Sequence, residues 1–413
     1  MSERVLSLFE AWGIEIEYMV VDRETLDVRS IVDALLRDAA GADDWVEDVD
    51  DGAIGWSNEL VSHVVELKCA APAPSLAGLA DEFQRSVRRA NEVAARHGAC
   101  LMPTGMHPWM DPSRETRIWP HESSPIYNAY HALFDCHRHG WANLQSVHIN
   151  LPFADEGEFA RLMAAIRLVV PLVPALAASS PIVEGRGTRR LDSRLAFYRS
   201  NATRVPAMAG DVVPEAVFDV EGYREQVLAP ISRGLRAIGA PPELLARDWL
   251  NARGAIARFD RMAIEIRVAD AQECPRMDIA VAAAVGSLVR ALVEERGFSH
   301  EMQAKWPSSS LVRLLRRTVR HGPQASLDDA NFVRLFGLDP GRVKSVGQLW
   351  QEHVQRDFAG PSDCEAPLEL LLREGTLAER IQRALGPEFD REDLARTYRR
   401  LCGCLADGRA FEP

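Results

Sequence analysis

A chain of 413 residues, 47% hydrophobic and 26% charged with no low-complexity tract, can bury a large core as one large domain or two modest ones. Its formal net charge of -12 argues against nucleic acid or an anionic membrane as partner, because both require a basic face. It leaves open an anionic small molecule held by local arginines or bound cations.

The opening Met-Ser-Glu-Arg has neither the basic lead nor the apolar run of a secretory leader. The most apolar stretch, Leu168 to Ala178, is too short for a membrane span and carries Pro171 and Pro174. Seven cysteines without a paired framework read as reduced thiols of a cytoplasmic protein. Cys402 and Cys404, one residue apart with no second pair, argue against a zinc site.

In chain order, Gly13 to Val20 alternates Ile14, Ile16, Tyr18 and Val20 with Glu15, Glu17 and Met19, the period of a half-buried strand. Its two glutamates project from one face, about 7 Å apart. Ser30 to Ala39 reads as a helix with Ser30 as N-cap, and the acidic run Glu47 to Asp51 as a solvated turn. Asn58 to Cys69 is predicted as a second strand and Ser75 to His97 as an amphipathic helix. Cys100 to Pro103 is a short strand leading into the loop Thr104-Gly105-Met106-His107-Pro108-Trp109. A helix over Tyr127 to His137, a strand over Gln145 to Leu151 and a long apolar helix over Glu158 to Ser179 follow. His131, His137 and His139 suit cap and packing roles at a helix end. Next come an arginine-rich loop, Glu184 to Arg204, a helix over Tyr223 to Ile238, and two strands at Ala255 to Arg258 and Met262 to Ala269.

From Met277 the pattern is helical: Ile279 to Arg296, Ser310 to Arg320, Gly347 to Phe358, Leu368 to Leu385 and Glu392 to Leu405. Apolar stripes such as Leu368, Leu371 and Leu372 either pack on the core or form a homo-oligomer surface. The expected architecture is α+β, a catalytic core over residues 1–297 with a C-terminal helical region, 298–413, packing on it.

The second strand segment carries Glu59 and Glu66, whose odd separation places them on opposite faces unless a bulge or bend intervenes. Glu66 lies among Val64, Val65 and Leu67, where a carboxylate needs a partner, and His148 lies between Val147 and Ile149 in the same way. In Ala263 to Asp270, Glu265 and Arg267 share a face and Ile264, Ile266 and Val268 face the core; an ion pair across strands would look the same. Together, five acids and one histidine come from four strand-like segments. Such oxygen-rich sets suit Mg²⁺ or Mn²⁺, which bridge to phosphates, and Arg267 adds the fixed positive charge that phosphoryl transfer uses. There is no Gly-rich P-loop and no GxGxxG fingerprint, so phosphates would be held by cations and arginines on a sheet. Arg186, Arg189, Arg190, Arg194 and Arg199 follow the apolar helix in a loop that reads as anion-binding.

The ordered set Gly-x-Glu-x-Glu at Gly13 to Glu17, Glu59…Glu66-Leu67, the Gln-x-x-His strand ending at His148, and Glu265-x-Arg267 with Asp270 resembles the bacterial carboxylate–amine ligases related to glutamate–cysteine ligase. Ala178-Ser179-Ser180-Pro181 with Glu184-Gly185 is similar to that family's loop after its long helix. Ser146 stands where many relatives have a first histidine. The resemblance implies a glutamine-synthetase-like fold, a curled, mainly antiparallel sheet flanked by helices around a site for ATP and several Mg²⁺ ions. It implies Glu15, Glu17, Glu59, Glu66, His148 and Glu265 as metal ligands and Arg267 at the transferring phosphoryl group, with Glu265 beside it at the chemistry. The density of the arginine loop itself places Arg189, Arg194 and Arg199 with Arg267 toward the nucleotide or substrate, and which of the five loop arginines touches it stays open. The resemblance also implies a reaction in which ATP converts an amino-acid carboxylate to an acyl phosphate that an amine then captures, cysteine in the name-giving enzymes of glutathione biosynthesis. A phosphotransferase releasing the phosphorylated product, or a catalytically silent nucleotide-binding regulator, are the competing readings.

Overall fold

The computed structural model describes residues 4–245 and 250–413, so Met1-Ser2-Glu3 of the leader argument lies outside it. Its centre is an eight-stranded, wholly antiparallel sheet of β1 (Gly13–Asp22), β2 (Asp48–Asp51), β3 (Ile54–Asn58), β4 (Val64–Cys69), β5 (Ala99–Met102), β6 (Ser146–Pro152), β9 (Ala255–Arg258) and β10 (Ala263–Asp270). The order is β2-β3-β4-β1-β6-β10-β9, with β5 added along the far end of β1. A separate two-stranded hairpin, β7 (Ile182–Val183) with β8 (Arg186–Gly187), lies in the arginine-rich loop. The strand met first in the sequence is therefore the hub, contacting three others.

Alternation divides the sheet into two faces. Ile14, Ile16, Tyr18, Leu67, Val147, Ile149, Ile264 and Ile266 are buried in one continuous core. The Leu79–Ala95, Glu156–Val169 and Pro275–Val293 helices cover that core, the last packing on both others. Glu15, Glu17, Glu66, His148 and Glu265 belong to the other face.

The predicted second strand, Asn58 to Cys69, holds all of β4 but only the last residue of β3, which runs from Ile54 and was not foreseen. β3 ends at Asn58 and β4 begins at Val64, so Glu59 lies in the turn and the odd spacing to Glu66 imposes no conflict. The acidic run is not a turn either: Asp48–Asp51 pairs with β3, Val49 is buried, and Glu47 accepts hydrogen bonds from Trp119 Nε1 and the Ser123 backbone and hydroxyl. The first helix starts at Val32 behind Ile31, without a Ser30 cap. Pro171 and Pro174, which cannot donate backbone bonds, break the long apolar helix into Glu156–Val169, a 3₁₀ turn and Pro174–Ala177. Leu368 to Leu385 likewise splits, at Gly375 (φ 82°), where only glycine turns easily and Thr376 caps the next helix.

Leu368 and Leu371 are buried in the main core, so that stripe packs inward. The Arg391–Asp407 helix rests on β5 and on the Leu79–Ala95 helix. Just past β10, fully buried Glu273 pairs with fully buried Arg380; Glu273 also accepts the Phe411 N–H (3.0 Å), and Arg380 donates to the Phe411 carbonyl (2.8 Å). No helix among the described residues is long and apolar enough to cross a membrane.

Candidate active site

Register assembles the site row by row. Glu17 stands directly opposite Glu66 on β4, and Glu66 opposite Ser57 on β3. One pair along, Glu15 faces Lys68 on one side and His148 on the other, and Glu265 faces Asn150. In β10 the register slips between Ile266 and Ala269, so Arg267 and Val268 together oppose His148. That bulge re-aims Arg267 while keeping its guanidinium on Glu265 (Nε to Oε1, 2.8 Å).

The acids are tightly bonded. His148 Nδ1 lies 3.0 Å from Glu15 Oε2 and 3.6 Å from Glu265 Oε1, and its Nε2 lies 3.0 Å from Ser146 Oγ. Ser146 donates to Glu17 from its N–H (2.6 Å) and its hydroxyl (2.9 Å). Glu66 accepts from Ser57 Oγ (3.0 Å), with Lys68 Nζ at 3.5 Å, and Glu265 accepts from Arg258 Nη1 (3.0 Å). Two donor sets, Glu15–His148–Glu265 and Glu17–Glu66–His148, each gather their ligand atoms within 4.8 Å. Glu59 comes in from the turn to line the same cavity.

Electrostatics show the strain of this crowding. Burial pushes Glu66 up to about 7, with Glu15 and Glu17 adding to the effect and Lys68 opposing it. Burial, then Glu66 and Glu17, lift Glu59 well above the carboxylate range. Burial also opposes charge on Glu15, yet the hydrogen bond and charge of His148 hold it at about 2. His148, in turn, overcomes its burial through Glu15, Glu17 and Glu265 and rises to about 9. A proton on His148 thus supplies part of the positive charge that the acids demand, and a cation bound at its nitrogen would take that proton's place.

The set fits divalent cations: hard carboxylate oxygens dominate, and two of the acids resist ionisation without added positive charge. The buried Asn150 side-chain oxygen has no donor among the described residues although its amide nitrogen bonds Glu15 (3.2 Å), leaving one more oxygen beside the cluster.

A cavity of about 150 Å³ opens on this cluster, bounded by Glu17, Glu59, His148, Arg194 and Arg267 on its polar side and by Val61, Val64, Trp141 and Leu144 on its apolar side. Of the loop arginines, only Arg194 reaches it. Asp192 caps the short Ser193–Tyr198 helix (Oδ1 to Leu195 N–H, 2.8 Å), turning Arg194 inward. There it pairs with Asp270 (2.5 Å) and donates to the Arg267 carbonyl (3.1 Å). Asp270 also accepts from Ser179 N–H (2.9 Å) and Ser180 Oγ (2.7 Å), so the Ala178-Ser179-Ser180-Pro181 loop is tied to the end of β10. Arg186, Arg189, Arg190 and Arg199 lie at the surface.

Sequence reading passed over Ser57, Lys68, Asn150, Tyr198 and Arg258. Lys68 and Asn150 were findable, each two residues from a named ligand on the same strand face. Ser57, Arg258 and Tyr198 depend on strand register or on a helix inside a loop, which no local pattern announces. His107 proves structural: its Nε2 meets the Leu26 carbonyl at 2.8 Å, deep in the protein.

The sheet-and-helix arrangement matches that of a glutamate–cysteine ligase from Francisella tularensis solved in complex with AMP, with a TM-score of 0.61, 12% identity, and coverage of 98% of this chain and 89% of that one. The expected glutamine-synthetase-like fold holds, with the sheet left open. Fold, acid-lined site and relatives together define the class: a ligase that uses ATP to join a carboxylate to an amine. The chain belongs to glutamate–cysteine ligase family 2, whose model matches residues 11–400. Among relatives, an uncharacterized protein of Archaeoglobus fulgidus is 33% identical over 97% of this chain and 99% of its own length. A Rubrobacter xylanophilus protein with a provisional glutamate–cysteine ligase name is 27% identical over 91% of this chain and 92% of its own.

Proposed function

We propose that the protein activates the γ-carboxylate of glutamate and joins it to an amine, with cysteine the first candidate, in a cytoplasm whose reducing poise suits its seven free thiols and within glutathione biosynthesis. The observation carrying this reading is the pair of donor sets that share His148, Glu15–His148–Glu265 and Glu17–Glu66–His148, beside a cavity lined by Glu17, Glu59, His148 and Arg267. Catalysis falls to residues 1–297, with 298–413 as the helical region packed on them.

In the first step a carboxylate oxygen attacks the terminal phosphorus of ATP and ADP leaves; in the second the amine nitrogen attacks the acyl carbon, inorganic phosphate leaves and the nitrogen gives up a proton. Glu15, Glu17, Glu59, Glu66, His148 and Glu265 would hold Mg²⁺ or Mn²⁺, which when bound offsets repulsion between polyphosphate and carboxylate. Arg267, held on Glu265, presents its guanidinium to the transferring phosphoryl oxygens. Arg194, anchored on Asp270, fixes the backbone that carries Arg267 and lines the substrate side. Arg189 and Arg199 would meet the nucleotide only on closure of their loop, which would also shield the acyl phosphate from water.

The test is ADP release with ATP, Mg²⁺ and amino-acid pairs, glutamate plus cysteine first. Release that requires both partners is expected. Release without any amine requirement would assign phosphotransfer instead, and no release with any pair would remove the ligase activity.

A further inference from the structure

The Ser193–Tyr198 helix presents two side chains to the cavity, four residues apart and so on one helix face: Arg194 and Tyr198. The Tyr198 hydroxyl oxygen is out of contact with solvent, and no group among the described residues hydrogen-bonds it. Its ring packs among apolar neighbours of the core, so the fold has a use for the ring and none for the oxygen. The two cations on the same wall are both engaged with protein carboxylates, Arg194 with Asp270 and Arg267 with Glu265. An oxyanion entering between them finds guanidinium groups already shared, and a neutral donor with no described partner that a small shift of the Tyr198 side chain on ligand entry would bring to it.

We propose that Tyr198 is a substrate-binding donor of this site, its hydroxyl hydrogen-bonding an oxyanion of the reacting pair (a carboxylate or phosphoryl oxygen) alongside Arg267. The assignment rests on the ligase reading for the identity of that oxyanion. A buried hydroxyl without a partner destabilises a protein, so its retention is explained if the ligand completes it.

Tyr198→Phe removes one oxygen and keeps the ring. The melting temperature of the free protein should stay the same or rise, whereas kcat/KM for ADP release should fall about ten- to hundred-fold, the size of one hydrogen bond to a charged group. A raised KM for the carboxylate alone places the hydroxyl on the carboxylate; a raised KM for Mg·ATP, or a lowered kcat at unchanged KM, places it on the phosphoryl group. Wild-type kinetics in the variant overturn the assignment and leave the ligase reading standing. A lower melting temperature of the free variant makes the hydroxyl structural and also overturns it. Should wild type turn over no amino-acid pair, the ligase reading falls, and the thermal shift caused by Mg·ATP in the two proteins decides Tyr198: a smaller shift in the variant supports it, and equal shifts, including none, overturn it.

Discussion

Glu17 and Glu66 face each other across neighbouring strands, an arrangement that costs stability unless positive charge intervenes. His148, Lys68, Arg258 and Arg267 provide part of it. Glu17→Gln should therefore cut ADP release by about a thousand-fold while the free protein keeps its far-UV circular dichroism and melts no earlier, because one of two facing acids loses its charge and the shape is kept. Glu265→Gln should cut release as far but lower the melting temperature, because it leaves Arg258 and Arg267 without their carboxylate. Near-normal turnover in either variant would remove that acid from the cation set. Elsewhere, burial holds three neutral histidines, His63, His107 and His353, down to about 4, against an ordinary value near 6.5. Above the unfolded value neither state takes up a proton, so their contribution is intact there. As pH falls from about 6.5 to 4 only the unfolded chain protonates, and stability drops by on the order of 3 kcal/mol per histidine by the end of that window. Glu66 and Glu59, raised by burial, act with the opposite sign in the same window, so the test is a difference between proteins. The urea midpoint of His353→Gln should lose less (or gain more) between pH 7 and 4 than that of wild type, and an identical pH dependence would show that His353 protonates in the folded state.

At the scale of elements, Gly105 sits where the loop after β5 presses on the Asp270 carboxylate; an added Cβ would lie 2.5 Å from Asp270 Cγ. The same carboxylate holds Arg194 and both serines of the 179–180 loop. Gly105→Ala should thus destabilise by about 1–3 kcal/mol and lower activity together, seen as a reduced melting temperature and slower ADP release; a variant equal to wild type in both would show that the loop yields freely. The strands that carry the site were legible for a plain reason: β1, β6 and β10 alternate acids or histidine with branched apolar residues, and each strand needs only its own pattern to declare its two faces. β3, Ile-Gly-Trp-Ser-Asn, sets the strand formers Ile54 and Trp56 against Gly55 and Asn58 over only five residues, so its own pattern is weak and pairing with β2 and β4 on either side fixes it. The arginine-rich loop advertised positive charge without saying which residue turns inward; Asp192 capping a six-residue helix decides that, and the decision selects Arg194 and Tyr198 over Arg189 and Arg199.

At the scale of the whole molecule, the Glu273–Arg380–Phe411 knot joins the end of the site strand to the C-terminal helices. With neither charge exposed, Arg380→Met would strand Glu273 without its partner, and a loss of about 3–5 kcal/mol is expected in urea unfolding. Glu273→Gln combined with Arg380→Met should recover much of it; equal damage in single and double variants would mean the packing, not the charge, matters. The three partners are far apart along the chain, Arg380 coming 107 residues after Glu273 and Phe411 coming 138 after it. During synthesis, β1, β4 and β6 can pair early around the first-made strand, but the acid at the end of β10 must wait for more than a hundred further residues before its charge is answered. A nascent chain paused in that interval would hold a nearly complete sheet whose final strand ends on an acid still lacking its buried partner.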